Sequence, residues 1–132
     1  MTQEKDNKGY RKLSVWQKAD ELAMEVYKET KNFPKDEIYG ITSQLRRASL
    51  SIPVNIVEGM GRQGRNELRQ FVNIALGSHA ETEYLLEFSK KLGYITEDKY
   101  QVLENLRAEV GSLLWCFYKS LSKMREQEPR NT

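Results

Sequence analysis

The sequence predicts an all-α protein, an antiparallel up-down-up-down four-helix bundle with its second helix kinked at Pro53. Three observations carry that prediction. Apolar residues recur at three- and four-residue intervals through four stretches, each several helical turns long. Short connections marked by proline or glycine separate them, around Pro34, between Gly59 and Gly64, and at Gly93. No segment alternates apolar and polar residues as a half-buried strand would. Short links between long helices favour antiparallel neighbours.

The first helix is expected from Ser14, as N-cap, to about Lys31, with Trp16, Ala19, Leu22, Ala23, Val26 and Tyr27 on its apolar face. Asn32-Phe33-Pro34 ends it, since the residue before proline is pushed out of the helical region. The second helix opens near Pro34, with Asp36 and Glu37 favourable in a first turn, and continues to Glu58. Its core stripe reads Ile38, Ile41, Leu45, Ala48, Ile52 and Ile56. Pro53 removes the hydrogen bond to the Ser49 carbonyl, at a cost of roughly 3 kcal/mol in an ordinary helix interior, so a kink or a break is expected there. Gly59 to Gly64 forms the turn. The third helix, with Asn66 as cap, reaches about Leu92 along Leu68, Phe71, Val72, Ala75, Leu85, Leu86 and Leu92. Gly93 sits where a left-handed cap belongs. Thr96, followed by Glu97 and Asp98, caps a fourth helix carrying Tyr100, Leu103, Leu106, Val110, Leu113, Leu114, Phe117 and Leu121.

With 132 residues, of which 39% are hydrophobic, the chain can bury one core without staples. We divide it into a flexible polar tail (1–12), a bundle domain (13–124) and a second flexible polar tail (125–132). Net charge is +2, and residues 13–124 hold 15 basic and 15 acidic side chains. A domain whose main work is neutralising phosphate usually shows a strong basic surplus, and this body shows none. The surplus is local: Arg46, Arg47, Arg62, Arg65 and Arg69 outnumber Glu58 and Glu67 between residues 42 and 79. The single cysteine, Cys116, cannot form an internal disulfide, no apolar run reaches membrane-spanning length, and the first residues lack a signal-peptide core. A cytoplasmic protein with no membrane partner is the expectation.

The motifs point away from catalysis. Gly59, Gly61 and Gly64 spell G-x-G-x-x-G, but a helix precedes them where a dinucleotide fingerprint needs a strand. A helix cap and turn is the better reading. His79 is the only histidine, and no carboxylate lies one turn before it, so neither a di-metal bundle site nor a zinc site can be assembled. It is expected to be structural or superficial. Cys116, between Trp115 and Phe117, suits an inert buried thiol. No nucleophile–base pair stands out. No catalytic residue, metal site, cofactor or small-molecule substrate is therefore assigned.

Two surface features remain. On the second helix Gln44, Arg47, Ser51, Asn55 and Glu58 recur at helical spacing beside the core stripe, and antiparallel pairing would bring Ser78 and Glu81 toward them. Arg47 or Arg46 is expected to pair with Glu81 or Glu58, within or between subunits. The stripe is read as an oligomer interface, with an exposed polar face as the alternative. At the turn, Arg62, Arg65 and Arg69, with Arg46, are the candidates for contact with nucleic acid or another anion near the start of the third helix. A merely solvated face is the alternative.

VWQKA (Val15–Ala19), FPKDEIYGITSQLRRAS (Phe33–Ser49), SIPVNIVEG (Ser51–Gly59), NIALGSHAE (Asn73–Glu81) and LGYI (Leu92–Ile95) resemble the four-helix-bundle proteins of the 23S rRNA intervening-sequence family. The resemblance covers roughly residues 13–123. It implies a small cytosolic bacterial protein, a ring-like homopentamer of antiparallel bundles, and no established enzymatic activity. It does not imply membership of a ribosome. More distantly the chain resembles the accessory protein of diversity-generating retroelements, a strongly basic pentamer that binds nucleic acid and a reverse transcriptase; the neutral body here departs from it. The function expected is thus a non-enzymatic homo-oligomeric interaction protein. The alternative is an accessory protein binding RNA, or an RNA–protein particle, through the arginines at the helix 2–helix 3 turn.

Overall fold

A computed structural model describes residues 9–126, with side chains through residue 123. Four helices make up the domain: α1 (Ser14–Thr30), α2 (Ile41–Met60), α3 (Arg65–Lys91) and α4 (Glu97–Glu126). Each packs on the next, and α1 also packs on α4, which closes the bundle. No strand occurs among the described residues. Cross-helix contacts give the register. Glu37 meets Tyr94, Ser51 meets Ser78, and Gly59 lies against Leu68 and Phe71, so numbers fall on α3 as they rise on α2. Lys18 with Glu109 and Lys99 with Glu29 repeat the pattern between α1 and α4.

The core follows the predicted stripes closely. Ala19, Leu22 and Val26 of α1, Leu45, Ile52 and Ile56 of α2, Val72 and Leu86 of α3, and Val110 and Leu114 of α4 are fully enclosed. Burying a side chain of this size contributes roughly 1.5–3 kcal/mol. Val15 is also buried, whereas Trp16 only packs against the core edge, where its ring meets Tyr10 edge-on at 5.0 Å.

Several boundaries move. Leu13, not Ser14, is the N-cap of α1. Of the segment read as an N-terminal tail, Gly9–Lys12 forms a 3-10 turn whose Arg11 carbonyl accepts from Gln17 Nε2 at 2.7 Å; residues 1–8 lie outside the described residues. The second helix does not begin at Pro34. Lys35–Glu37 is a separate 3-10 turn, and Gly40, at φ −110° and ψ −123°, sets α2 off from it. Ile38 consequently stands exposed rather than in the core. Gly64 instead of Asn66 caps α3, without a side-chain bond, and Leu92 is exposed beyond its end. At the other end, α4 continues through Glu126, past the start of the segment read as a C-terminal tail, and residues 127–132 are outside the described residues.

Pro53 lies inside an unbroken α2 with its ring buried, so of the two outcomes expected there the break does not occur. Two caps form as predicted. Gly93, at φ +80°, closes α3: its N–H donates to the Lys90 carbonyl and that of Tyr94 to the Ser89 carbonyl. Thr96 Oγ1 accepts from the Lys99 N–H at 3.3 Å and so starts α4.

Candidate functional site

The polar stripe of α2 is brought to α3. Gln44, Arg47 and Ser51 share a cleft of about 410 Å³ with Ser78 and Glu81, floored by Ala48. Two hydroxyls bridge the helix pair, Ser51 Oγ and Ser78 Oγ standing 2.9 Å apart. Asn55 Nδ2 donates to Ser51 Oγ at 2.9 Å and to the Ser51 carbonyl at 2.7 Å. Thr82, fully buried, donates to the Ser78 carbonyl. Each such bond contributes roughly 0.5–1.5 kcal/mol net; the Ser51–Ser78 bond is the one of them that crosses between the helices and ties their register, the others lying within α2 or α3.

Arg47 and Glu81 line that cleft, exposed, without touching. Among the described residues no ion pair within 4.0 Å joins Arg46 or Arg47 to Glu58 or Glu81, so the expected pairing does not form within one chain. Glu58 lines a separate cleft of about 400 Å³ with Trp16, Asp20, Leu50, Pro53, Val54 and Val57. Sequence reasoning missed the apolar part of this surface. Leu50 and Val54 lie three and seven positions beyond Arg47 and are exposed. On α3, Ile74, Tyr84 and Phe88 are exposed at the same spacing around Ser78 and Glu81, with the Tyr84 and Phe88 rings stacked at 6.1 Å. Their helical offsets from Arg47 and Glu81 were the available signal.

The arginines do not form one cluster. Arg46 points to α1: its Nε donates to Thr30 Oγ1 at 2.8 Å and its guanidinium covers the Tyr27 ring at 5.0 Å. It lies fourteen residues before the end of α2, about 20 Å from the turn at 1.5 Å per residue. Arg62 lies over Phe71 at 5.2 Å. Arg69 lies over Tyr118 at 5.1 Å and donates from Nε to Ser122 Oγ at 3.0 Å. The Tyr118 ring stacks on Trp115 at 5.8 Å, and Lys119 Nζ stands 5.8 Å from the Trp115 centroid. Two stacked rings capped at each end by a cation therefore run from α3 onto the outer face of α4, with Trp115 half exposed. Arg65 has interactions of its own at the start of α3.

His79 is structural. Its Nε2 lies 2.9 Å from the Arg107 carbonyl and 3.2 Å from Arg107 Nη1. The Arg107 side chain, largely buried, pairs with Glu104 and reaches Glu83 at 3.5 Å. The hydrogen bonds that the guanidinium donates to Glu104, opposed by desolvation, raise its pKa.

A model of the 23S rRNA-intervening sequence protein family matches residues 11–116. The chain belongs to that family. A solved structure of a protein of unknown function from the S23 ribosomal protein family of Bacteroides thetaiotaomicron is 33% identical. The match covers 80% of this chain and 98% of that one, at a TM-score of 0.72. No curated protein matches the sequence.

In this 23S rRNA-intervening sequence protein, one chemical expectation fails. Cys116 is exposed, not buried. Core contacts of α4 are made at Leu103, Val110, Leu114 and Leu121, and a residue two positions past Leu114 turns about 200° away from them. Among the described residues no group of three or more His, Cys, Asp or Glu side chains could hold a metal ion, and no helix is long and apolar enough to cross a membrane.

Proposed function

We propose that this family member is a non-enzymatic interaction module that works as a homo-oligomer. The contact between copies is made by the α2–α3 face, and the assembly is a pentamer. The observation that supports this most is the cleft holding Arg47 and Glu81: opposite charges with no ion-pair partner among the described residues, bordered by exposed Leu50, Val54, Tyr84 and Phe88. In a five-membered ring the contact is heterologous: a different face of the next copy would meet the α2–α3 face, supply the counter-charges and cover the apolar flanks in one step. The pentamer comes from the family resemblance alone. Sedimentation of the full chain at micromolar concentration tests it, a single species of five chain masses being expected.

A second reading, binding of single-stranded RNA, is favoured by one feature. The Arg69–Tyr118–Trp115–Lys119 ladder offers a base an exposed ring edged by cations, an arrangement suited to stacking with sequence tolerance. A ring of copies would multiply one weak patch. Retention of an RNA probe that weakens steeply with salt, and that Trp115→Ala reduces by roughly tenfold, is the expected outcome. No retention at low salt contradicts it.

A further inference from the structure

We propose that a second cleft, at the start of α2, binds a small phosphate monoester. This cleft, of about 280 Å³, lies where the end of α1, the 3-10 turn and the first turns of α2 meet. Its walls carry Lys31, Lys35 and Arg46, and Phe33, Pro34 and Ile38 supply apolar surface; no carboxylate lines it. Among the described residues none of the three cations is in an ion pair within 4.0 Å. Two acids close to these residues in sequence, Glu29 and Glu37, have partners outside the cleft lining. Glu37 accepts from the Tyr94 hydroxyl at 2.7 Å, and Glu29 stands by Lys99 at 3.7 Å.

The independent observation is Thr42. It lines the cleft, is 2% exposed, and its hydroxyl has no hydrogen-bond partner. Buried hydroxyls are almost always satisfied, and an orphan in the wall of a cationic cleft is a donor awaiting an acceptor. Arg46 is built for the same ligand. Thr30 donates its own proton to the Val26 carbonyl at 2.8 Å and accepts from Arg46 Nε. The guanidinium is thereby fixed with its two Nη nitrogens left to bind, in the fork geometry suited to an oxyanion. Thr42 also belongs to the first turn of α2, which has no acidic residue and no side-chain cap. The unpaired N–H groups and the dipole there are partly offset by the Glu37 carboxylate, which lies against Gly40.

Three cations without a counter-carboxylate match a group carrying close to two negative charges better than a carboxylate carrying one. The apolar surface beside them favours an ester over the free ion. Binding of phenyl phosphate, inorganic phosphate and sulfate to the full-length chain, in chloride buffer, is the test. It is read from amide chemical shifts at Thr42 and Arg46. Phenyl phosphate is expected to saturate at one per chain and to bind several-fold more tightly than either free ion. Arg46→Gln should weaken it by about tenfold or more, and Thr42→Val by roughly threefold to tenfold. Thr42→Val keeps the side-chain shape, so it decides the matter if Arg46→Gln fails to fold. Absence of saturation up to about 10 mM, a range that spans millimolar affinities, would overturn the proposal. So would equal binding of all three probes, or binding that neither substitution changes.

Discussion

Gly59 and Gly77 both lie in helices of this bundle, and a methyl group added to each meets different surroundings. At Gly59 a Cβ would come within 2.8 Å of Leu68 Cδ1 and 2.9 Å of Phe71 Cβ. The latter is anchored to the α3 backbone and cannot swing aside. Gly59→Ala is therefore expected to destabilise the chain by about 1–3 kcal/mol despite better helix propensity. At Gly77 nothing lies within 4 Å, so Gly77→Ala should stabilise by up to about 1 kcal/mol. Urea unfolding of the two variants checks both signs. Tyr94 gives a pH test. Its hydrogen bond to Glu37 raises the phenol's pKa above the usual tyrosine value. The protonated form is thus favoured by folding. The resulting stability is complete below about pH 10, and it is lost as pH rises through the raised folded value. Thermal melts should show Tyr94→Phe less stable than the parent at neutral pH, with the gap closing above the tyrosine range. A gap independent of pH contradicts that role for the bond. Neither contact could be read from the sequence, because each joins residues whose neighbours in space are set by helix rotation. Cys116 was misjudged for a related reason: Trp115 and Phe117 beside it are apolar, but burial on a helix follows the three- and four-residue offsets, not adjacent positions.

Helix α2 was legible over most of its length, and its two surfaces were legible unequally. The buried stripe from Ile41 to Ile56 followed from period alone. So did the polar stripe, and the structure does bring Gln44, Arg47 and Ser51 to Ser78 and Glu81. The start of α2 was misplaced because Pro34, Asp36 and Glu37 are good first-turn residues; the 3-10 turn that follows Pro34 ends at Glu37, and the backbone leaves the helical region at Gly40 before α2 begins. The arginines were grouped by closeness in sequence, yet the unbroken α2 places Arg46 fourteen residues before the helix end that Arg62 follows. Leu50 and Val54 were passed over because two isolated apolar residues on a polar flank are common in any helix. Their exposure beside the cleft makes them the sharpest test of this element. Leu50→Glu combined with Val54→Glu should leave far-UV helicity intact while reducing the mass in solution to that of one chain. An unchanged mass would remove α2 from the contact.

At the scale of the molecule, helix count, order and core position came from the sequence with few errors, because hydrophobic periodicity and short links constrain a bundle strongly. Association is harder to read. A polar stripe looks the same whether water or another copy covers it, and the charges that set partner choice lie at exposed positions where pairs contribute only about 0–1 kcal/mol in one chain. The bundle itself needs no further cover: its core is closed by α1 against α4. What stands open is the α2–α3 face, with charges and rings on one side of the chain. The mass of the full-length protein at micromolar concentration, measured by equilibrium sedimentation, reads that face most directly. A closed assembly of five chains that dissociates when Arg47 is replaced by Glu is the result expected. A clean monomer across the concentration range would contradict it.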